Sequence, residues 1–529
     1  MSFKELQQQV FELVVRKNDS VSDHLAVAKT IAADTMTPPE YFRKLRVAFL
    51  SNFTIQGLPE VFKVRSVFHN LWTDTYLGPY NQYAQEILNP ESGLNKFKPQ
   101  LLYIVLDLVD EGINQVKDLA KTFHEETGAR VVILDRWLSP QPEKNNRVLV
   151  FDFKDFINKI GEKDYWATKY QELGDLRLAP DAFSMLADAI MGYAVAVSGA
   201  TKKCLVLDLD NTLWSGIVGE DGSDKVVPNE DIQKHALNLY NNGVILAINS
   251  RNNPEDALGV IENHPKMVLR KNHFAAQRIN WQDKALNIKE LASELILGTD
   301  SFVFVDDDHF NLLAVKSQHP EVATLTPDML ESYKGFESLY LTDEDKKRGQ
   351  MYAEEFKRRQ IQSSLSSVDD FIKDLKLEVT IREVKAESTI IPRLAQMTQK
   401  TNQFNMTTQR WSEDDIKACL LELGYRIWAV EAVDRFGDYG SVGFLSTSQN
   451  KNQWRIENFL MSCRILGRGI EKALLARLVA EARKEKVIDL LGIFIPTQKN
   501  KALCENFYPE NNFSDPAKLS TTGRVDEYR

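Results

Sequence analysis

Leu205-Val206-Leu207-Asp208-Leu209-Asp210-Asn211-Thr212-Leu213-Trp214 is the stretch on which the reading of this chain turns. An apolar, strand-length run ends in two aspartates spaced two apart. Continued extension would project both side chains from one face at the carboxyl edge of a strand, where open α/β sheets place their ligands. Asp208 then suits a nucleophile, and Asp210 a general acid that later serves as base. Thr212 and the backbone beyond it can add hydrogen bonds to a phosphate. A bare Asp-x-Asp pattern by itself favours a strand end capped by acidic turn residues, so the rest of the chain has to decide.

Three later segments do so. The apolar run Ile245-Leu246-Ala247-Ile248-Asn249-Ser250 ends in a hydroxyl suited to a phosphate oxygen. Lys284 lies in the polar start of a helical pattern, NWQDKALNIKEL, and can neutralise aspartate and phosphate charge. A third apolar run, FVFV, ends in Asp306-Asp307-Asp308. With Asp208 and Asp210, Asp306 and Asp307 form a carboxylate set for a hard cation such as Mg2+. These four elements, in this order, resemble the four motifs of the haloacid dehalogenase (HAD) superfamily. The resemblance implies a magnesium-dependent phosphoryl-transfer site on a Rossmann-like parallel sheet. The short spacing between the first two motifs leaves no room for a large cap there, so the site should be open to a bulky or protein-borne substrate.

Working outward, 529 residues exceed one ordinary core and suggest roughly three units of about 150 residues. Residues 1–45 carry helical spacing of apolar positions. Residues 46–198 alternate apolar runs (RVAFLS, LLYIVLDL, RVVILD, RVLVFD) with polar helical stretches, as in a helix-flanked parallel sheet. A helix from about Asp181 to Val197 ends at Ser198-Gly199, and the second α/β unit, residues 199–342, contains the motifs, with a further short run at KMVLR. Residues 343–374 read as a charged linker helix. Residues 375–529 read as α+β, with strands near LEVTIREV, YRIWAVEAVD, VGFLSTS and WRIENFLMS before an amphipathic helix after Gly469.

KKCLVLDLDNTLWSGIVGEDG, KTNQFNMTT (400–408), VDRFGDYGSVG (433–443) and MSCRILGRGIE (461–471) together resemble the FkbH-like proteins, from about residue 40 to the end. That resemblance implies an α/β multidomain chain: an SGNH hydrolase-like unit, a HAD unit with a minimal cap, and a C-terminal GNAT-like acyltransferase unit. It also implies an activity: a glyceryl unit is taken from 1,3-bisphosphoglycerate, dephosphorylated and loaded on the phosphopantetheine thiol of an acyl carrier protein. There are departures. Asp306-Asp307-Asp308-His309 stands where Asp-Asp-Asn-Pro is the family pattern. The first strand ends Leu50-Ser51-Asn52 without a Gly-Asp-Ser block, and Asp181 has no histidine three residues on, so the SGNH-like unit reads as non-catalytic.

Arg464-Ile465-Leu466-Gly467-Arg468-Gly469, between a strand and a helix, resembles the pyrophosphate-binding turn of GNAT enzymes, and Asn500, Tyr508, Asn512 and Phe513 are similar to the end of that fold. Within this resemblance Cys463 is the candidate acyl carrier, its thiolate favoured by Arg464 and the helix start; a buried small apolar residue is the alternative. Asn402, Gln403 and Asn405 are candidates for the glyceryl hydroxyls. Asp434, Arg435 and Asp438 are candidates for orienting donor or thiol, and Arg464, Arg468, Lys472 and Arg477 for meeting an acidic carrier.

Composition limits the other options. A net charge of -10 and a pI near 5.5 argue against sequence-independent nucleic-acid binding. No apolar run reaches the roughly 18–20 residues of a membrane span, and the N-terminus lacks a signal-peptide pattern, so the cytoplasm is the expected location. Cys204, Cys419, Cys463 and Cys504 show no metal-type spacing and read as reduced thiols. Two other functions stay open: a stand-alone magnesium-dependent HAD phosphatase, and a non-catalytic scaffold for carrier proteins.

Overall fold

The computed structural model describes residues 2–15, 20–32, 36–107, 112–140, 148–161, 174–339, 346–364, 368–401, 403–497, 500–514, 517–519 and 525–528. Internal contacts divide the chain into two compact units, Met1–Ala353 and Glu354–Arg529.

The first unit holds two parallel sheets. One is built from β1 (Arg43–Ser51), β2 (Leu71–Leu77), β3 (Leu101–Val105), β4 (Arg130–Leu134) and β5 (Val148–Phe151), in the order β2-β1-β3-β4-β5. All five residues of β3 are buried, which is why LLYIV reads as a continuous apolar run: helices cover both faces of a parallel sheet. Phe49 stacks on Tyr103 at 5.2 Å. The Tyr103 hydroxyl finds its buried partner in the Ile190 carbonyl at 2.8 Å, tying helix Ala182–Ser198 to the sheet. That helix stops where Gly199 turns left-handed, at φ 73°. The N-terminal helices α1 (Phe3–Val15) and α2 (Val21–Ala32) pack Leu6, Val10, Leu13, Val27 and Ile31 against Val64 and Val67. They therefore form a hydrophobic cluster of their own with helix Leu58–Phe68.

The second sheet is built from β6 (Cys204–Leu207), β9 (Ile245–Ser250), β10 (Phe274–Ile279), β11 (Phe302–Val305) and β12 (Ala323–Leu325); between β6 and β9, the short strands β7 (Trp214–Ser215) and β8 (Val227–Pro228) pair with each other as a separate antiparallel sheet. Its order is β10-β9-β6-β11-β12, so the direction of winding reverses between β6 and β11. Register matters most here. Leu207 pairs with Ile248 on one side and Val305 on the other, which brings Asp208, Ser250 and Asp306 to the same carboxyl edge, at the topological switch point.

The short run KMVLR lies outside the strands, and β10 follows it at Phe274–Ile279. One expectation fails in this unit: the strand carrying the first motif ends at Leu207, before both aspartates. Beyond it the chain turns, with Asn211 left-handed at φ 55° and a bridge between Asp210 and Trp214, so strand alternation does not set the direction of Asp210.

The second unit begins within helix Arg348–Ser364, inside the stretch 343–374 read as a linker helix, and includes helix Val368–Leu375, which ends one residue beyond it. Its mixed sheet runs β13 (Glu378–Glu383), β15 (Arg426–Asp434), β16 (Gly437–Asn450), β17 (Gln453–Met461), β18 (Asp489–Phe494), β20 (Val525–Tyr528) and β19 (Ala517–Leu519). A short strand, β14 (Phe404–Asn405), adds to β17, and helix Ile470–Lys484 lies between β17 and β18 in sequence. Among the described residues no helix is long and apolar enough to cross a membrane.

Candidate active site

Asp208, first beyond β6, is 5% exposed. Its Oδ1 lies 2.7 Å from Lys284 Nζ, which also meets Asp306 Oδ2 at 2.5 Å. Lys284 is 3% exposed and sits at the start of helix Lys284–Leu295, where Asp283 caps the Ala285 and Leu286 amides. Asn249 and Asn287, both fully buried, brace that turn: Asn249 Nδ2 donates to the Lys284 carbonyl, and Asn287 Nδ2 donates to Asn249 Oδ1, each at 2.9 Å. The ammonium is thus delivered between two carboxylates by a capped helix and a carboxamide chain.

The electrostatics follow from this burial. Burial raises the Asp208 carboxyl, Lys284 opposes it, and Asp306 adds to the rise; the net direction is upward. Ser250, 1% exposed, hydrogen-bonds to Asp208 and lowers it. Burial works against the Lys284 ammonium, but Asp208 and Asp306 outweigh it and hold its pKa above the usual range. Asp307 is pushed up, first by burial and then by Asp306.

Asp208, Asp306 and Asp307 each bring a carboxylate oxygen within 4.8 Å of the others. An all-oxygen set of this kind fits a hard divalent cation. Asp306 has a further duty: its Oδ1 accepts from the Asp308 amide at 2.9 Å and from Asn311 Nδ2 at 3.2 Å. Asp210, expected among the metal carboxylates, is held apart from that cluster. Its Oδ1 accepts from Trp214 Nε1 at 2.7 Å and the Val218 amide at 3.2 Å, and its Oδ2 from Asn252 Nδ2 at 2.9 Å. Thr212 Oγ1 is buried and has no hydrogen-bond partner among the described residues. Asn252, the Asn249–Asn287 pair and Trp214 escaped the sequence reading. An isolated asparagine carries no spacing signal, although Asn252 lies only two residues past Ser250.

In the second unit the candidates are less open to a ligand. Asp434 is buried and holds Arg358 at 2.7 and 2.8 Å and the Tyr439 hydroxyl at 2.7 Å, besides the Phe436 and Gly437 amides. Arg468 is turned onto Glu355 at 2.8 and 2.9 Å and onto the Arg464 carbonyl. Arg435 pairs with Asp374, and Arg477 with Glu481. Asp438 Oδ1 accepts from the Gly440 amide, while Lys472 is exposed. Gly467 and Gly469 both stand at φ 77° with open space where a Cβ would be, so the turn keeps the form that only glycine adopts without strain. Asn402 and the side chain of Cys463 lie outside the described residues; the Cys463 backbone starts the turn Cys463–Ile465.

Segment 403–406 has an unexpected place. β17 and β18 pair in parallel only from Gln453↔Asp489 to Ile456↔Gly492. Past that point Met406 bridges them: its amide donates to the Phe459 carbonyl at 2.9 Å, and its carbonyl accepts from the Ile495 amide at 2.8 Å. Asn405 turns its side chain to its own loop, accepting from the Thr408 amide and donating to the Thr401 carbonyl. The Gln403 carbonyl accepts from the Cys504 thiol.

In the first sheet, Ser51 Oγ accepts from the Phe53 amide at 3.2 Å, closing its own turn.

No family model matches the chain, and no curated protein matches it. Among solved structures, the N-terminal part of BF1531 from Bacteroides fragilis, containing a phosphatase domain complexed with Mg, is 24% identical over 64% of this chain and 98% of its own, with a TM-score of 0.47. The ribosomal-protein-S18-alanine N-acetyltransferase of Escherichia coli is 19% identical over 28% of this chain and 90% of its own, with a TM-score of 0.22. The PaiA N-acetyltransferase of Thermoplasma acidophilum, in complex with coenzyme A, is 13% identical over 28% and 98%, with a TM-score of 0.23.

Proposed function

We propose that the chain is a magnesium-dependent phosphatase of HAD type whose phosphoryl transfer serves an acyl transfer, with a glyceryl unit from 1,3-bisphosphoglycerate loaded on an acyl carrier protein. The observation that carries the phosphatase half is the buried Asp208–Lys284–Asp306 cluster, opening onto Asp307 at the switch point of a parallel sheet. The acyl half rests on the FkbH-like motifs. Asp208, Asp306 and Asp307 would hold a divalent cation, which would supply positive charge to offset the repulsion between carboxylates and phosphate.

In the phosphatase half, an Asp208 oxygen attacks phosphorus and the P–O bond to the leaving alkoxide breaks, while Asp210 gives that alkoxide its proton. Water then attacks the aspartyl phosphate and returns a proton to Asp210. Lys284 keeps Asp208 oriented, and Ser250 and Thr212 hold phosphate oxygens. In the acyl half, the Cys463 thiolate attacks the C1 acyl phosphate and inorganic phosphate leaves. The carrier thiolate then displaces Cys463 from the thioester.

Mass spectrometry of a carrier protein incubated with enzyme, Mg2+ and 1,3-bisphosphoglycerate tests the reading. A glyceryl mass on the carrier is expected, and is expected to vanish in Cys463→Ala; an unmodified carrier contradicts the transfer. A plain phosphatase is the second reading, favoured by the internal ion pairs of Asp434 and Arg468 and by Met406 bridging β17 and β18. It predicts phosphate release that Cys463→Ala leaves intact, with no loading. The scaffold alternative predicts that Asp208→Asn changes nothing.

A further inference from the structure

Away from the aspartates, a cavity of about 760 Å³ lies between α1 and helix His309–Gln318. Its walls are apolar, from Phe3 and Phe11 on α1, Tyr41 and Phe68 beneath, and Leu312 and Leu313 opposite. The volume is that of a small-molecule pocket. Among the described residues its lining includes two lysines, Lys4 and Lys316, and no aspartate or glutamate. Lys316 Nζ meets the carbonyls of Pro320 at 2.7 Å and Val322 at 3.0 Å, a cradle of neutral groups rather than carboxylates. Burial, with Lys202 adding to it and Glu321 opposing, draws its pKa down to about 7. An apolar chamber lined, among the described residues, by two lysines and no carboxylate is complementary to an anion with an apolar tail.

We propose that this cavity binds an amphipathic organic anion, in its simplest form a medium-chain carboxylate, with its chain among Phe11, Phe68 and Leu312 and its anionic head toward Lys4 and Lys316. None of Asp208, Asp210, Lys284 or Asp306 lines the cavity, so the site is separate from phosphoryl transfer. It is linked to that edge through one element. Helix His309–Gln318 starts directly after Asp306-Asp307-Asp308 and is capped by Asp308, so a ligand along the helix bears on the loop that carries the metal-side carboxylates.

Calorimetric titration of the full-length protein with dodecanoate, kept below its micelle concentration, tests this. Saturable one-to-one binding with a negative heat-capacity change is expected. Dodecanol, and dodecanoate on Lys4→Glu, should each bind about tenfold more weakly, the loss of one charge contact. Gln7→Trp, which puts an indole into the space, should abolish binding while the melting temperature is kept, and Asp208→Asn should bind as the parent does. Absence of saturable binding overturns the proposal, as does binding indifferent to Gln7→Trp. A concentration-dependent dimer that Gln7→Trp dissolves would also overturn it, since a second copy would then fill the cavity.

Discussion

At the scale of single residues, Lys284 is the keystone of the candidate site, because removing it leaves Asp208 and Asp306 facing each other in a dry environment. Lys284→Met is expected to cost about 3–5 kcal/mol of stability, the cost of orphaning a buried charge. Adding Asp306→Asn should recover part of that loss, read by denaturant melts of both variants; an equally unstable double variant would mean that the pair is not electrostatically coupled. His69 provides a pH test. It is buried against Tyr333 at 5.0 Å, and burial, then Lys202 and Arg65, lower its pKa to about 3. The fold therefore keeps it neutral. Stability is complete above the unfolded value near 6.5 and falls as pH drops from there toward 3, by on the order of 2 kcal/mol at pH 5. His69→Phe should flatten the melting profile between pH 7.5 and 5; an unchanged slope would assign the acid sensitivity elsewhere. Asp208, Ser250, Lys284 and Asp306 were legible because each chemical type ends or begins an apolar element. Asp306's second task, anchoring Asn311 and the Asp308 amide, was not, since it depends on a turn that only the folded chain reveals.

At the scale of elements, the cap on helix Lys284–Leu295 couples local folding to chemistry. Asp283→Ala should cost about 1 kcal/mol and lower phosphate turnover, because the same turn aims Lys284. Asp283→Asn should keep both stability and turnover, as asparagine caps about as well as aspartate. Thermal melts and phosphate release on the two variants check this. The strand at Phe274–Ile279 was missed because strand pairing with β9 is decided by neighbours far along the chain rather than by local apolar density. The same holds for Asp210. Its spacing from Asp208 suggested a shared strand face, but β6 ends at Leu207, before both, and Trp214, Val218 and Asn252 set its direction. Segment 403–406 was legible as special from Gln403 and Asn405; its role in joining β17 to β18 through Met406 depends on backbone groups, which carry no side-chain pattern.

At the scale of the whole molecule, the chain passes from one compact unit to the next within helix Arg348–Ser364, and the Asp208 site is wholly in the first. Calorimetry should resolve two unfolding transitions, with the acid sensitivity of His69 confined to one. The α/β organisation was readable from alternating apolar runs, whereas the unit boundary fell inside a charged stretch whose composition resembles a linker. The central claim concerns Asp208, and the direct measurement is phosphate release from 3-phosphoglyceryl and simple phosphomonoester substrates, with Mg2+ or with a chelator, by the parent and by Asp208→Asn. Release that requires Mg2+ and disappears in a folded Asp208→Asn variant is the predicted result. Release that persists in that variant, or is indifferent to the chelator, would contradict the account.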